Sequence, residues 1–204
     1  MHTQHTRFVL VALALGGCLP GGKMDRPKEL EGLSPVPVTE TKAADGLHVT
    51  AGDFSITLPS DFAPFRLGNQ VAYTRPAQGE TVKIAAMKSK LPMDAAAQQA
   101  VLGAQGNLLS GVEGLMARFG GGKVSPPRIR SDAFGIHGTI DVTGPMTRRA
   151  IHTIVVTGAM AVTITLELSQ PGADLDADAE TILKTLRFAP AAPSPAPAAP
   201  APQK

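Results

Sequence analysis

The chain has 204 residues, with 19 Lys and Arg against 17 Asp and Glu and a formal charge of +2. A near-neutral chain with no Trp, one Tyr and seven Phe lacks both the basic footprint and the stacking platforms of a nucleic-acid binder. Its single Cys excludes an intrachain disulfide and a Cys-rich metal site. Stability must come from a packed core, which a segment of about 140 residues can build.

The first seven residues end in Arg7, and the eight apolar residues 8–15 follow. That run is far shorter than the roughly 20 residues needed to cross a bilayer, so it reads as a removable targeting signal. It closes on Leu15-Gly16-Gly17-Cys18, which resembles the lipobox of a bacterial lipoprotein. The resemblance implies a signal peptide over residues 1–17, cleavage before Cys18 and acylation of its thiol. Removing the signal deletes Arg7 alone, leaving 18 basic against 17 acidic residues and a charge of +1. Stable anchoring takes two or more acyl chains, which lipoprotein processing places on one residue. Leu19 follows the cysteine in place of the Asp that marks inner-membrane retention in enteric bacteria. In a Gram-negative source the expected location is therefore the outer membrane, facing the periplasm.

Residues 18–46 are rich in Pro, Gly, Glu, Lys and Thr and show no apolar periodicity, so a flexible tether is expected there. Residues 47–188 carry the folded domain, and residues 189–204 form a Pro/Ala-rich tail expected to be disordered. Two strands open the domain at residues 47–51 and 54–58, with Pro59 ending the second because it lacks the N–H of a ladder. Another pair spans residues 70–75 and 81–88 around a Pro76 to Gly79 turn.

A helix is expected over residues 93–119, with Asp94 in its first turn and Leu108, Val112, Leu115 and Phe119 as the core-facing stripe. Gly120-Gly121-Gly122 stops it. Strands resume with Ile136, Gly138, Ile140 and Val142 on one face and His137, Thr139 and Asp141 on the other. They continue through residues 150–157 and 160–168, and a closing amphipathic helix is expected over residues 173–188. Strand hairpins alternating with helices predict an α+β fold, an antiparallel sheet with helices packed on it.

The stretch FSITLPSDF at residues 54–62, two strands, a helix, a three-strand meander and the closing AETILKTLRF together resemble the Mog1/PsbP-like domain. The same general domain occurs in bacterial lipoproteins of the DcrB type. The resemblance implies an α/β/α sandwich and a protein-binding or assembly role, with no shared catalytic residues and no cofactor. The partners it implies are the membrane lipid through Cys18 and a protein whose identity the sequence does not give.

Three stretches invite chemistry. Gly120-Gly121-Gly122-Lys123 suggests a phosphate loop, but Val124 stands where Ser or Thr would hold magnesium and the run follows a helix. Asp174, Asp176 and Asp178 have the opening spacing of a calcium loop, yet Ala179 replaces the glycine of its sharp turn. Acids at a helix start explain all three. The third stretch is the hairpin around Pro145. If Thr143 pairs with Arg148, then Thr139 faces His152, and His137, Asp141 and His152 form a polar cluster able to bind metal or do acid/base work. That cluster is the alternative, enzymatic reading. No metal site is otherwise expected.

Overall fold

Apolar and polar residues alternate along most strands of this chain, and a strand so patterned turns one face to a core. A computed structural model describes residues 27–67, 70–120, 122–144, 148–168 and 174–189. The first seven strands are β1 (Leu33–Pro35), β2 (Thr39–Ala43), β3 (Gly46–Ala51), β4 (Phe54–Leu58), β5 (Ala63–Leu67), β6 (Gln70–Arg75) and β7 (Glu80–Ser89). Helix α1 (Ala95–Gly120) leads to β8 (Lys123–Val124), β9 (Arg128–Asp132), β10 (Gly135–Gly144), β11 (Arg148–Val156) and β12 (Met160–Leu168). Helix α2 (Leu175–Lys184) and β13 (Arg187–Phe188) close the domain.

The fold is of the expected α+β antiparallel class, and its strands divide between two sheets. The large sheet runs β5-β6-β7-β12-β11-β10-β8, with β1 also paired to β7 and β9 to β10; the small one runs β13-β4-β3-β2. One face of the large sheet, through Ile84, Val155, Val162 and Ile164, packs on Val49, Phe54, Ile56 and Leu58 of the small sheet. Leu175 and Ile182 of α2 join that core. Ile140, Ile154 and Val156 face the other way, under Val101, Leu102 and Leu109 of α1. The layers are therefore α1, the large sheet, then the small sheet beside α2.

The segment expected to be a tether is folded from Lys28 onward. A 3-10 turn at Lys28–Leu30, β1 and β2 all precede residue 46, and Leu30 and Leu33 are 4% and 3% exposed against the α1 core. The α1 stripe also sits elsewhere than expected: Val101, Leu102, Gln105 and Leu109 are buried, whereas Leu108 is only half-buried. The side chains of Val112, Leu115 and Phe119 lie outside the described residues. Asp94 caps α1, its Oδ1 accepting the Ala97 N–H at 2.8 Å. The last helix stops at Lys184, and Arg187 and Phe188 leave it to pair with Ser55 and Phe54 of β4. Cys18 and the Pro/Ala-rich tail beyond Ala189 lie outside the described residues.

Ile182 has no exposed surface, and it sits where α2 meets both sheets. Ile182→Ala is expected to lower the unfolding free energy by about 2 to 5 kcal/mol. A denaturant melt shifted by less than a quarter of that would mean α2 is not a wall of the core.

Candidate functional site

Strands β9 and β10 pair so that Arg130 lies opposite His137 and Arg128 opposite Thr139. On its other edge β10 meets β11, with Val155 opposite His137 and Thr153 opposite Thr139. Opposite residues share a face. Two cross-strand rows, Arg130-His137-Val155 and Arg128-Thr139-Thr153, therefore look toward α2 and the small sheet. The C-terminal end of α2 and β13 brings Leu183, Lys184, Leu186 and Arg187 across from the first row, enclosing a cavity of about 150 Å³.

His137 is 4% exposed, and its Nε2 lies 2.8 Å from Asp132 Oδ1, which also accepts the Phe134 N–H at 2.8 Å. Burial raises the Asp132 carboxyl, but the Phe134 N–H, His137 and the nearby Arg130 charge outweigh it and hold the group below the usual carboxylate range. An ionised carboxylate only accepts, so Nε2 of His137 carries the proton it donates. Thr153, which also lines the cavity, is 3% exposed, and among the described residues its Oγ1 has no hydrogen-bond partner. A buried hydroxyl left in that state costs free energy, and a ligand atom would satisfy it.

The cavity wall carries Arg130, Lys184 and Arg187 against the single carboxylate of Asp132. The end of a helix would normally add negative charge here. Arg187 Nη1 covers it, donating to the carbonyls of Lys184 at 2.8 Å and Leu186 at 2.7 Å, and Thr185 Oγ1 donates to that of Ile182 at 2.7 Å. Lys184 also pairs with Glu180 at 2.7 Å on the exposed side of α2, a contact of little energy in water. The electrostatic balance of the cleft is cationic, over an apolar floor that includes Val155, Leu183 and Leu186.

Of the three residues singled out from sequence, only His137 lines this cavity. Asp141 lies further along the same face and accepts from Arg128 Nη2 at 2.8 Å. His152 is on the opposite face: Thr143 pairs with Arg149, so His152 stands against Ile140 in the α1 layer, where its Nδ1 meets Thr165 Oγ1 at 2.9 Å. A register shift of one residue sends a side chain through the sheet. The expected Thr143 to Arg148 pairing is thereby corrected, and the acid/base cluster loses its geometry.

The three aspartates of α2 likewise disperse. Asp174 caps the helix through the Ala177 N–H, Asp176 takes both Nη atoms of Arg149 at 2.7 and 2.9 Å, and Asp178 meets Arg75 at 2.9 Å. Among the described residues, no group of three or more His, Cys, Asp or Glu is placed to hold a metal. Gly120 ends α1, and Lys123 enters β8 opposite Thr143.

Sequence reasoning missed Arg130, Asp132, Thr153, Lys184 and Arg187. The alternation Arg128-Ile129-Arg130 in a strand exposed along its whole length was the available signal. Nothing local in Thr153 or Lys184 links them.

A second polar centre lies on the same layer. Arg75, at the end of β6, donates to Glu80 Oε2 through Nε at 2.8 Å and also through Nη2, and stacks over the Phe62 ring with Cζ 4.7 Å from its centroid. Its guanidinium also reaches Asp61 at 3.4 Å and Asp178 at 2.9 Å. Glu80 is 3% exposed, and among the described residues no donor reaches its Oε1. Burial and then the Asp178 carboxylate push Glu80 up to about 7, overcoming Arg75, while Asp178 stays low because its hydrogen bonds to Glu80 and Arg75 outweigh its own burial. The proton that Glu80 holds is shared with Asp178, so the pair carries one proton near neutrality.

No family model and no curated protein matches the chain. Among solved structures, it is similar to a Bacteroides thetaiotaomicron VPI-5482 protein solved at 1.50 Å, with a TM-score of 0.36 and 16% identity. That match covers 68% of this chain and 46% of the other. The solution structure of cyanobacterial PsbP (CyanoP) from Synechocystis sp. PCC 6803 matches at a TM-score of 0.50 and 11% identity. It covers 85% of this chain and 98% of that one, and at such identity the shared property is the fold, which in this chain is PsbP-like.

Proposed function

We propose that this chain is a non-catalytic binding or assembly module, held on the bacterial cell envelope by lipid on Cys18 and, in a Gram-negative source, facing the periplasm from the outer membrane. The observation that carries the binding reading is the cationic cleft at the junction of β9, β10, β11 and the α2 end, where a buried Thr153 hydroxyl awaits a partner. A fold shared with PsbP supports it, because the sequence resemblance to that domain implies binding and assembly. Separation of His152 from His137 and Asp141 by the thickness of the sheet removes the basis of the enzymatic alternative. Among the described residues no helix is long and apolar enough to cross a membrane. The anchor rests on the sequence motif ending in Cys18.

Two measurements test this function. Mass spectrometry of the mature N-terminus should find a diacylglyceryl-modified Cys18, and Cys18→Ser should accumulate uncleaved precursor. An unmodified N-terminus at another position refutes the anchor. For the binding role, a photo-crosslinking amino acid in place of Phe134, which is 46% exposed at the cleft, should give one discrete adduct in cells. The same probe at Leu91, exposed elsewhere, serves as the control. Equal labelling at both positions would refute a specific interface at the cleft.

A further inference from the structure

We infer that the cleft between β9, β10, β11 and the end of α2 recognises a single carboxylate carried on a short apolar stem. This rests on the binding reading above and specifies its ligand chemistry. The unsatisfied Thr153 Oγ1 is buried in the wall, and a hydroxyl in that position gains by donating to an ionised acceptor. Arg130, Lys184 and Arg187 supply the positive charge. Arg187 is already positioned by its bonds to the helix-end carbonyls, so it loses little freedom when an anion arrives.

The apolar part of the lining selects a carboxylate on an apolar body over an inorganic oxyanion. Val155, Leu183 and Leu186 line the same space, and only a ligand with an apolar body uses them. The volume of about 150 Å³ is that of about five water molecules at about 30 Å³ each. It accommodates a branched four- or five-carbon acid, or the terminal residue of a peptide with its free carboxylate.

Calorimetry and ligand-observed NMR on the full lipidated chain in detergent at pH 7 test the inference with four probes. These are isovalerate, a hexapeptide ending in Val with a free carboxylate, the same peptide as its C-terminal amide, and inorganic phosphate. The expected result is binding of isovalerate with a Kd of about 1 mM, with the amide and phosphate at least tenfold weaker than the matching acid. Tighter binding of the peptide acid identifies a protein C-terminus as the source; binding of isovalerate alone identifies a free organic acid.

Thr153→Val keeps the shape of the side chain and a strand-compatible residue, and should weaken acid binding about tenfold or more. Arg130→Gln, on an exposed strand, should do the same without touching the core. Phosphate binding as tightly as the acids, amide binding equal to the acid, or acid affinity unchanged in both variants would overturn the assignment. A chain that crosslinks specifically through position 134 but binds no acid overturns the carboxylate and leaves the binding reading standing.

Discussion

Arg75→Ala is expected to destabilise the domain by about 3 to 5 kcal/mol at pH 7 to 8, the cost of removing one partner from a buried ionic group. Among the described residues the guanidinium is the one cation that meets Glu80, Asp178 and Asp61 together, and without it the buried Glu80 carboxylate is left beside Asp178. The loss should shrink on acidification toward pH 5, where Glu80 holds a proton in the folded state. A penalty that is the same at pH 5 and pH 8 would mean that the arginine acts through packing on Phe62 alone.

The sign of the parent's own pH dependence follows from the same pair. Glu80 is raised from 4.5 to about 7, so between those values the folded chain binds more protons than the unfolded one. Its contribution to stability is complete below about pH 4.5 and is lost as the pH rises through 7. Asp178 runs oppositely and in a lower window: its depressed value stabilises the fold above 3.8 and fades as the pH falls through the folded-state value. Glu80→Gln offers Asp178 an amide N–H and Arg75 a carbonyl oxygen without titrating. It should flatten the slope between pH 4.5 and 7 and leave the protein at least as stable as the parent above pH 7. Thermal melts across that range decide it, and a slope unchanged in Glu80→Gln would assign the proton to another group.

How much of this was legible in the sequence depends on what each residue's environment is made of. The strands later found as β3, β4, β6, β7, β10, β11 and β12 were readable because each has at least one buried face, as in Phe54, Ile56 and Leu58. β9 was missed because all five of its residues are exposed, and β2 because it is exposed along nearly its whole length; neither buries the apolar face that marks a strand in sequence. Alternation also says that a face is buried without saying against what, so one sheet was expected where two fold face to face.

The sites were less legible because they depend on register and on distance along the chain. A one-residue slip in the β10 and β11 hairpin decides whether His152 joins His137 or sits behind the sheet, and no local pattern fixes that slip. Arg75 and Asp178 are separated along the chain by most of the domain, and Thr153 of β11 lines one cavity with Lys184 and Arg187 from the end of the domain. Propensity and spacing act over a few residues. These contacts are set by topology.

A chain beginning at Leu47, the boundary expected from composition, should lose about 3 to 6 kcal/mol relative to one beginning at Pro27, because Leu30 and Leu33 each bury a side chain worth roughly 1.5 to 3. It also loses the β1 pairing to β7, the Val36 N–H bond to Ala86 O at 2.9 Å, and β2, which covers the edge of β3. Against a typical domain stability of about 5 to 15 kcal/mol this is enough to leave much of the shorter chain unfolded at 37 °C. Leu33→Ala separates packing from backbone pairing and alone should cost about 2 to 5 kcal/mol. Thr41→Ala, on the exposed part of β2, should stay within about 0.5 kcal/mol of the parent. Urea melts compare the three; if the chain starting at Leu47 unfolds at the same midpoint as the longer one, the segment before it is an appendage and not part of the core.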